Sequence, residues 1–275
     1  MIIAIGSDKG SPGASTLALL VGACWPGERI VAEIDPDGAD LPYRVAGVNG
    51  QPLAASPTIT TLAVDSRPGA EQRPVLIYTQ AAACGVPLLV GETSTSRFAR
   101  IVPHLGRIGD ALAASNETVV VDLGRLHVGS PALPLARGAV AVVLVTRGDT
   151  ASLGHLRERV EELGSEFGGP HRLRSPLAVV VRAQRRDAHA AESRVSKVLS
   201  SVGSPALVLG VLPDDPAGVE ALLAGSATRR TNRSGLLAAG RHFVSRLQAS
   251  WPELTEPRSA SLDRSALQAV GGTRL

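Results

Sequence analysis

Short, mostly apolar runs punctuate the chain at Ile2–Ile5, Ile30–Ile34, Val86–Val90, Thr118–Leu123, Val140–Thr146, Leu177–Val181 and Leu207–Leu212. Most are continuous rather than alternating, the pattern of strands buried on both faces. Between them, 3.6-residue periodicity predicts helices over Ser15–Cys24, Val75–Ala83, Ser96–Ala114, Ser152–Phe167, Ala190–Val202 and Ala217–Ala224, with a last one over roughly Arg233–Trp251. Gly85 stands where a helix C-cap belongs, ahead of a strand. The rhythm predicts an α/β three-layer sandwich, a mostly parallel central sheet flanked by helices.

Two stretches break the rhythm. Gly47–Gln72 is rich in Pro, Gly, Ser and Thr and reads as an irregular surface excursion, with Ile59–Val64 as a short strand. Pro252–Leu275 is polar with scattered Leu and reads as a loosely ordered tail. The expected organisation is one domain over 1–251 followed by that tail. There is no internal repeat.

Composition narrows the class. Hydrophobic residues make up 44% of the 275, with only 3% aromatic, so the core must be built from Ala, Val and Leu. Net charge is +3, unevenly placed: residues 1–150 hold 11 basic and 13 acidic side chains, residues 151–275 hold 17 and 12. Cys24 and Cys84 have no metal-ligand spacing, and the opening MIIAIG has neither a basic segment nor a long apolar stretch. No apolar run approaches the roughly 18 residues that cross a bilayer. The expected location is the cytoplasm.

Candidate chemistry begins after the first strand, at Gly6-Ser7-Asp8-Lys9-Gly10-Ser11-Pro12-Gly13-Ala14-Ser15-Thr16. Strand, Gly-rich turn and helix start are the parts of a phosphate cradle, in which backbone N–H groups and the helix N-terminus face the anion. The standard loop ends Gly-Lys-Ser/Thr; here Ala14 stands at the lysine. The same residues also fit a ligand-free turn into a helix. Two acidic strand ends follow. Glu33-Ile34-Asp35-Pro36-Asp37-Gly38 closes the second strand, and Val119-Val120-Val121-Asp122-Leu123-Gly124 ends in a carboxylate suited to Mg²⁺.

These three segments, in this order, resemble the MinD/ParA family of P-loop ATPases. Its loop runs Lys-Gly-Gly-x-Gly-Lys-Thr/Ser-Thr, and Lys9-Gly10-Ser11-Pro12-Gly13-Ala14-Ser15-Thr16 matches it apart from the second glycine and the central lysine. The resemblance implies an ATP or ADP site with Mg²⁺. It makes Lys9 the signature lysine that reaches a partner subunit's nucleotide, Ser15 and Asp122 the metal ligands, and Asp35 the carboxylate that orients water. Residues Gly10, Ser11, Gly13, Ala14 and Thr16 would cradle phosphates. Pro213, closing Leu207–Pro213, would lie near the base, and Arg182 occupies the place of the family's adenine-recognising Asn. The degenerate loop is most similar to the CpaE/TadZ branch.

The resemblance implies a homodimeric positioning or assembly factor with a protein partner and at most slow ATP hydrolysis. Two alternatives are a ParA-type DNA partition ATPase and a pseudo-ATPase scaffold without nucleotide. Arg182, Arg185, Arg186, Arg229, Arg230 and Arg233 fit either phosphate contacts to nonspecific DNA or a solvated Arg-rich surface; the second is preferred. Leu236, Leu237, Phe243, Val244, Leu247 and Trp251, with Arg241 and Arg246 among them, have the ingredients of a membrane-surface helix, yet packing on the sheet is the expected role. His127, His155 and His171 show no ligand spacing.

Overall fold

Each of the seven apolar runs set out above forms a strand. In the computed structural model, which describes residues 1–9, 13–67, 69, 71, 73–168, 176–225 and 234–255, β1 (Ile2–Ser7), β2 (Arg29–Glu33), β3 (Gln80–Ala81), β4 (Pro87–Leu89), β5 (Thr118–Arg125), β6 (Ala141–Arg147), β7 (Leu177–Ala183) and β8 (Leu207–Pro213) share one sheet. The order is β3-β4-β2-β5-β1-β6-β7-β8. Only β3 runs antiparallel, against β4. Along β1, Ile2 and Ala4 face one helical layer while Ile3 and Ile5 face the other, which is why the run is apolar throughout.

One layer holds α1 (Ala14–Cys24), α9 (Pro216–Leu223) and α10 (Gly235–Ser250). The other holds α3 (Ile59–Asp65), α4 (Thr95–Ile101), α5 (Leu105–Ala114), α6 (Leu133–Arg137), α7 (Thr150–Phe167) and α8 (Ala188–Ser201). Helix α7 is amphipathic: Leu156, Val160, Leu163 and Phe167 are buried at helical spacing, and the Asp149 side chain caps its start by accepting from Ser152 N–H at 3.0 Å. Helix α1 is apolar nearly all round, because both the sheet and α10 cover it. A short helix, α2 (Leu41–Arg44), follows β2.

The structure corrects several expectations. Ile59–Val64 is a helix: Thr58 and Thr61 form a capping box, and Ile59, Leu62 and Ala63 bury one face. The Gly47–Gln72 stretch is therefore not wholly an irregular excursion. Val75–Ala83 is a 3₁₀ turn (Val75–Tyr78) followed by β3, and Gly85, at φ 77°, turns the β3–β4 hairpin rather than capping a helix. The expected Ser96–Ala114 helix is split by a 3₁₀ turn containing Pro103. The fold also continues past 251, since Trp251 and Leu254 are buried; residues 256–275 of the expected tail lie outside the described residues.

Helix α10 packs on the sheet side with Leu236, Phe243, Val244 and Leu247 buried. Among the described residues no helix is long and apolar enough to cross a membrane.

Candidate functional site

The loop after β1 enters α1 through Gly13, whose φ of 111° places it in the left-handed region that favours glycine. Gly13 C=O accepts from Leu17 N–H at 2.9 Å, and no side chain caps the helix start. The first N–H groups of α1 are thus left without intrahelical partners, the arrangement that suits an anion. Ala14 and Thr16 are buried and Ser15 is half-buried. Gly10 and Ser11, the expected middle of the loop, lie outside the described residues.

Parallel register sets the acids beside this helix start. Asp122 on β5 is level with Ile5 on β1 and Glu33 on β2. Asp122 is fully buried; its Oδ1 accepts from Gly124 N–H at 3.1 Å, while Oδ2 has no partner at hydrogen-bond distance and angle. Burial pushes its carboxyl up; the adjoining Ser15 hydroxyl, the Gly124 amide and the Arg44 charge oppose that rise. A buried carboxylate oxygen without a donor, next to a serine hydroxyl at a phosphate-type helix start, fits a hard divalent cation held through oxygen ligands.

Asp35 lies two residues beyond β2. Its Oδ1 accepts from Asp37 N–H at 2.8 Å, and its carboxylate lies against Gly124, where a Cβ would meet it at 2.1 Å. Burial chiefly, with Asp122 and Asp37 adding repulsion against the Asp37 amide bond, raises it to about 6. Glu33 has a different part. Its Oε1 accepts from Asp40 N–H at 2.8 Å and Leu41 N–H at 3.0 Å, pinning the start of α2. Burial first, then the Asp122 charge, raise it to about 8.

Lys9 is exposed, and its Nζ stands 3.1 Å from His155 Nε2 on α7. The spacing of the histidines in sequence gives no sign of this contact. Beneath it, buried Asp8 accepts from Lys9 N–H at 2.6 Å and from the Thr146 hydroxyl at 3.5 Å. His127 lines a small cavity with Arg125, Arg159 and Glu162, and burial, followed by the two arginine charges, holds its imidazole below the usual range.

A cleft of about 500 Å³ opens beside the start of α1. Gly13 and Thr16 line it, Leu212, Pro213, Val219, Leu223 and Leu236 give apolar wall, and Arg44, Arg182 and Asp214 are among its polar lining. That volume and mixed lining suit a small organic ligand. Arg182 is ion-paired with Asp214, an anchor fixed by Asp214 N–H donating to Ala183 C=O at 3.0 Å. Of the expected site residues, Gly13, Thr16, Arg182 and Pro213 therefore meet in the cleft, and Ser15, Asp35 and Asp122 cluster at the strand ends. Lys9 reaches towards α7 instead. Arg44 is a lining residue that sequence reasoning misses: nothing in its neighbourhood along the chain marks it.

Arg185 and Arg186 sit in an exposed 3₁₀ turn where Arg186 pairs with Asp187 at 3.6 Å. Arg229, Arg230, Arg233 and His171 lie outside the described residues.

No protein-family model matches the chain, and no curated protein matches it in sequence. Solved structures do share the fold. A ParA family ATPase from Chlorobium tepidum TLS superposes at TM-score 0.67 with 16% identity, over 89% of this chain and 97% of its own. The septum site-determining protein MinD complexed with Mg-ADP, from Pyrococcus horikoshii OT3, gives 0.64 and 18% over 92% and 98%. A variant of Cyanothece McdA in complex with ATP gives 0.62 and 14% over 90% and 95%.

Proposed function

We propose that this chain, whose fold is that of the MinD/ParA-type P-loop proteins, binds ATP or ADP with Mg²⁺ and acts as a nucleotide-controlled positioning or assembly factor with slow or no hydrolysis. One observation carries the reading: the unpartnered buried oxygen of Asp122 meets Ser15 at an uncapped helix start that opens on the cleft. Two neighbours whose names give Mg-ADP and ATP complexes support the ligand class. In this reading Gly13, Ala14, Ser15 and Thr16 present backbone N–H groups to the phosphates. Ser15 and Asp122 hold Mg²⁺, which when bound neutralises phosphate charge. Asp35 orients water at the strand ends, and Pro213 and Arg182 flank the base.

Hydrolysis needs charge neutralised as it develops in the transition state, and Ala14 carries none. A lost charge-assisted hydrogen bond, about 1.5–3 kcal/mol, weakens binding roughly 10- to 150-fold. Calorimetric titration with Mg²⁺-ATP and Mg²⁺-ADP should reach saturation at or below millimolar nucleotide, and Ala14→Lys should tighten it. Absence of saturation of the native chain at millimolar nucleotide removes the reading and leaves a scaffold.

A partition role on DNA is the second reading, favoured by the exposed Arg185 and Arg186. A low-salt mobility shift that appears only with nucleotide and falls steeply with salt would select it.

A further inference from the structure

If Ala14 cannot supply the loop's cation, another side chain must face the phosphates or the site holds them weakly. Three cations lie near enough to consider. Lys9 Nζ stands against His155. Arg182 also lines the cleft but is already ion-paired with Asp214. Arg44 is different. It lines the cleft together with Gly13 and Thr16, is exposed, and makes no hydrogen bond or ion pair among the described residues.

The placement is built. Arg44 closes α2, a helix whose start is held by Glu33 Oε1 accepting from Asp40 N–H and Leu41 N–H, and whose Leu41 side chain is fully buried. Val45 N–H donating to Leu41 C=O at 2.9 Å closes the turn. Glu33 itself lies level with Asp122. The strand pairing that sets the metal-type carboxylate therefore also sets the base of the Arg44 side chain.

We infer that Arg44 is the phosphate-binding cation of this site, supplying from α2 the positive charge that Ala14 lacks in the loop. The inference rests on the nucleotide reading above and adds to it a residue and a direction of approach. A guanidinium presents several N–H donors in a planar fork matched to phosphate oxygens, whereas an ammonium acts as a point charge. Arg44 shares the cleft with Gly13 and Thr16 at the helix start, where ADP and ATP would both place phosphate, so ADP should depend on Arg44 as much as ATP does.

The test is a set of calorimetric titrations of the full chain with Mg²⁺-ADP, Mg²⁺-ATP and adenosine, for the native chain, Arg44→Gln, Arg44→Lys and Arg44→Gln/Ala14→Lys, with thermal melts to check folding. Expected is a roughly 10-fold or greater loss of ADP and ATP affinity in Arg44→Gln, with adenosine affinity unchanged. Arg44→Lys should retain part of the affinity, and Ala14→Lys should restore binding to Arg44→Gln. Unchanged ADP affinity in a folded Arg44→Gln overturns the inference and leaves the nucleotide reading standing. Equal losses for ADP and adenosine also overturn it, since they place Arg44 on the nucleoside. No saturation of the native chain by either nucleotide removes both readings. Should Arg44→Gln fail to fold, Arg44→Lys decides, because a point charge does not reproduce the fork. A partial loss of ADP affinity with adenosine unchanged then supports the inference, and an ADP affinity equal to native overturns it.

Discussion

Glu33 illustrates how a single buried side chain ties stability to pH. With its carboxyl held at about 8 in the fold against 4.5 in the unfolded chain, the folded state carries a proton there that the unfolded state lacks across that window. Stability therefore falls as pH rises from about 4.5 to 8, by about 1.4 kcal/mol per pH unit at most for this group. Asp35, raised from 3.8 to about 6, contributes in the same direction over a lower window. Glu33→Gln mimics the protonated form and keeps a carbonyl oxygen for the Asp40 and Leu41 amides. Urea denaturation in EDTA should show this variant close to the native chain near pH 5 and more stable than it near pH 9. Parallel pH profiles for the two proteins would mean that Glu33 is ionised in the fold.

At the scale of elements, close backbone approach sets which helices tolerate change. A Cβ on Gly240 of α10 would come within 2.7 Å of Leu20 Cγ and 2.8 Å of Cys24 Sγ on α1, whereas one on Gly154 of α7 meets nothing within 4 Å. Gly240→Ala should cost about 1–3 kcal/mol by overpacking. Gly154→Ala should stabilise by roughly 0.5–1 kcal/mol by helix propensity and reduced unfolded-state freedom. Chemical denaturation of both variants checks this, and a Gly240→Ala as stable as the native chain would deny the α1–α10 contact.

The same packing explains what can be read in advance. Strands buried on both faces, such as Ala141–Arg147, announce themselves as unbroken apolar runs. Ile59–Asp65 does not announce its helix, because its β-branched residues argue for a strand. The Thr58–Thr61 capping box that overrides them carries Thr where the usual signature has Glu or Gln. Arg44 has no sequence signal at all: its approach to Gly13 and Thr16 exists only after β2 pairs with β5 and Glu33 pins α2. Likewise the pairing of Lys9 with His155 depends on β1 lying beside β6, the strand that leads into α7, which no local spacing records.

For the whole molecule, the exposed position of Lys9 bears on how copies of the chain associate. Its ammonium leans towards α7 rather than into the cleft lined by Gly13 and Thr16, so a role on the subunit's own phosphates needs the side chain to swing back. A role on the nucleotide of a second copy needs only that the two faces meet. The two arrangements give different results. If Lys9 acts across the interface, sedimentation with saturating Mg²⁺-ATP shifts the chain from monomer to dimer, and Lys9→Ala remains monomeric while its ADP affinity stays within about 3-fold of native, a change under 1 kcal/mol. The dimer is then linked to ligand by mass action: at a nucleotide concentration of about 100 Kd, binding adds about 2.7 kcal/mol to the apparent stability of each subunit, and assembly adds a dependence on protein concentration. If Lys9 acts within its own subunit, Lys9→Ala loses nucleotide affinity without any change of assembly state. A native chain that stays monomeric with nucleotide bound would dismiss the dimer and leave Lys9 as a surface partner of His155.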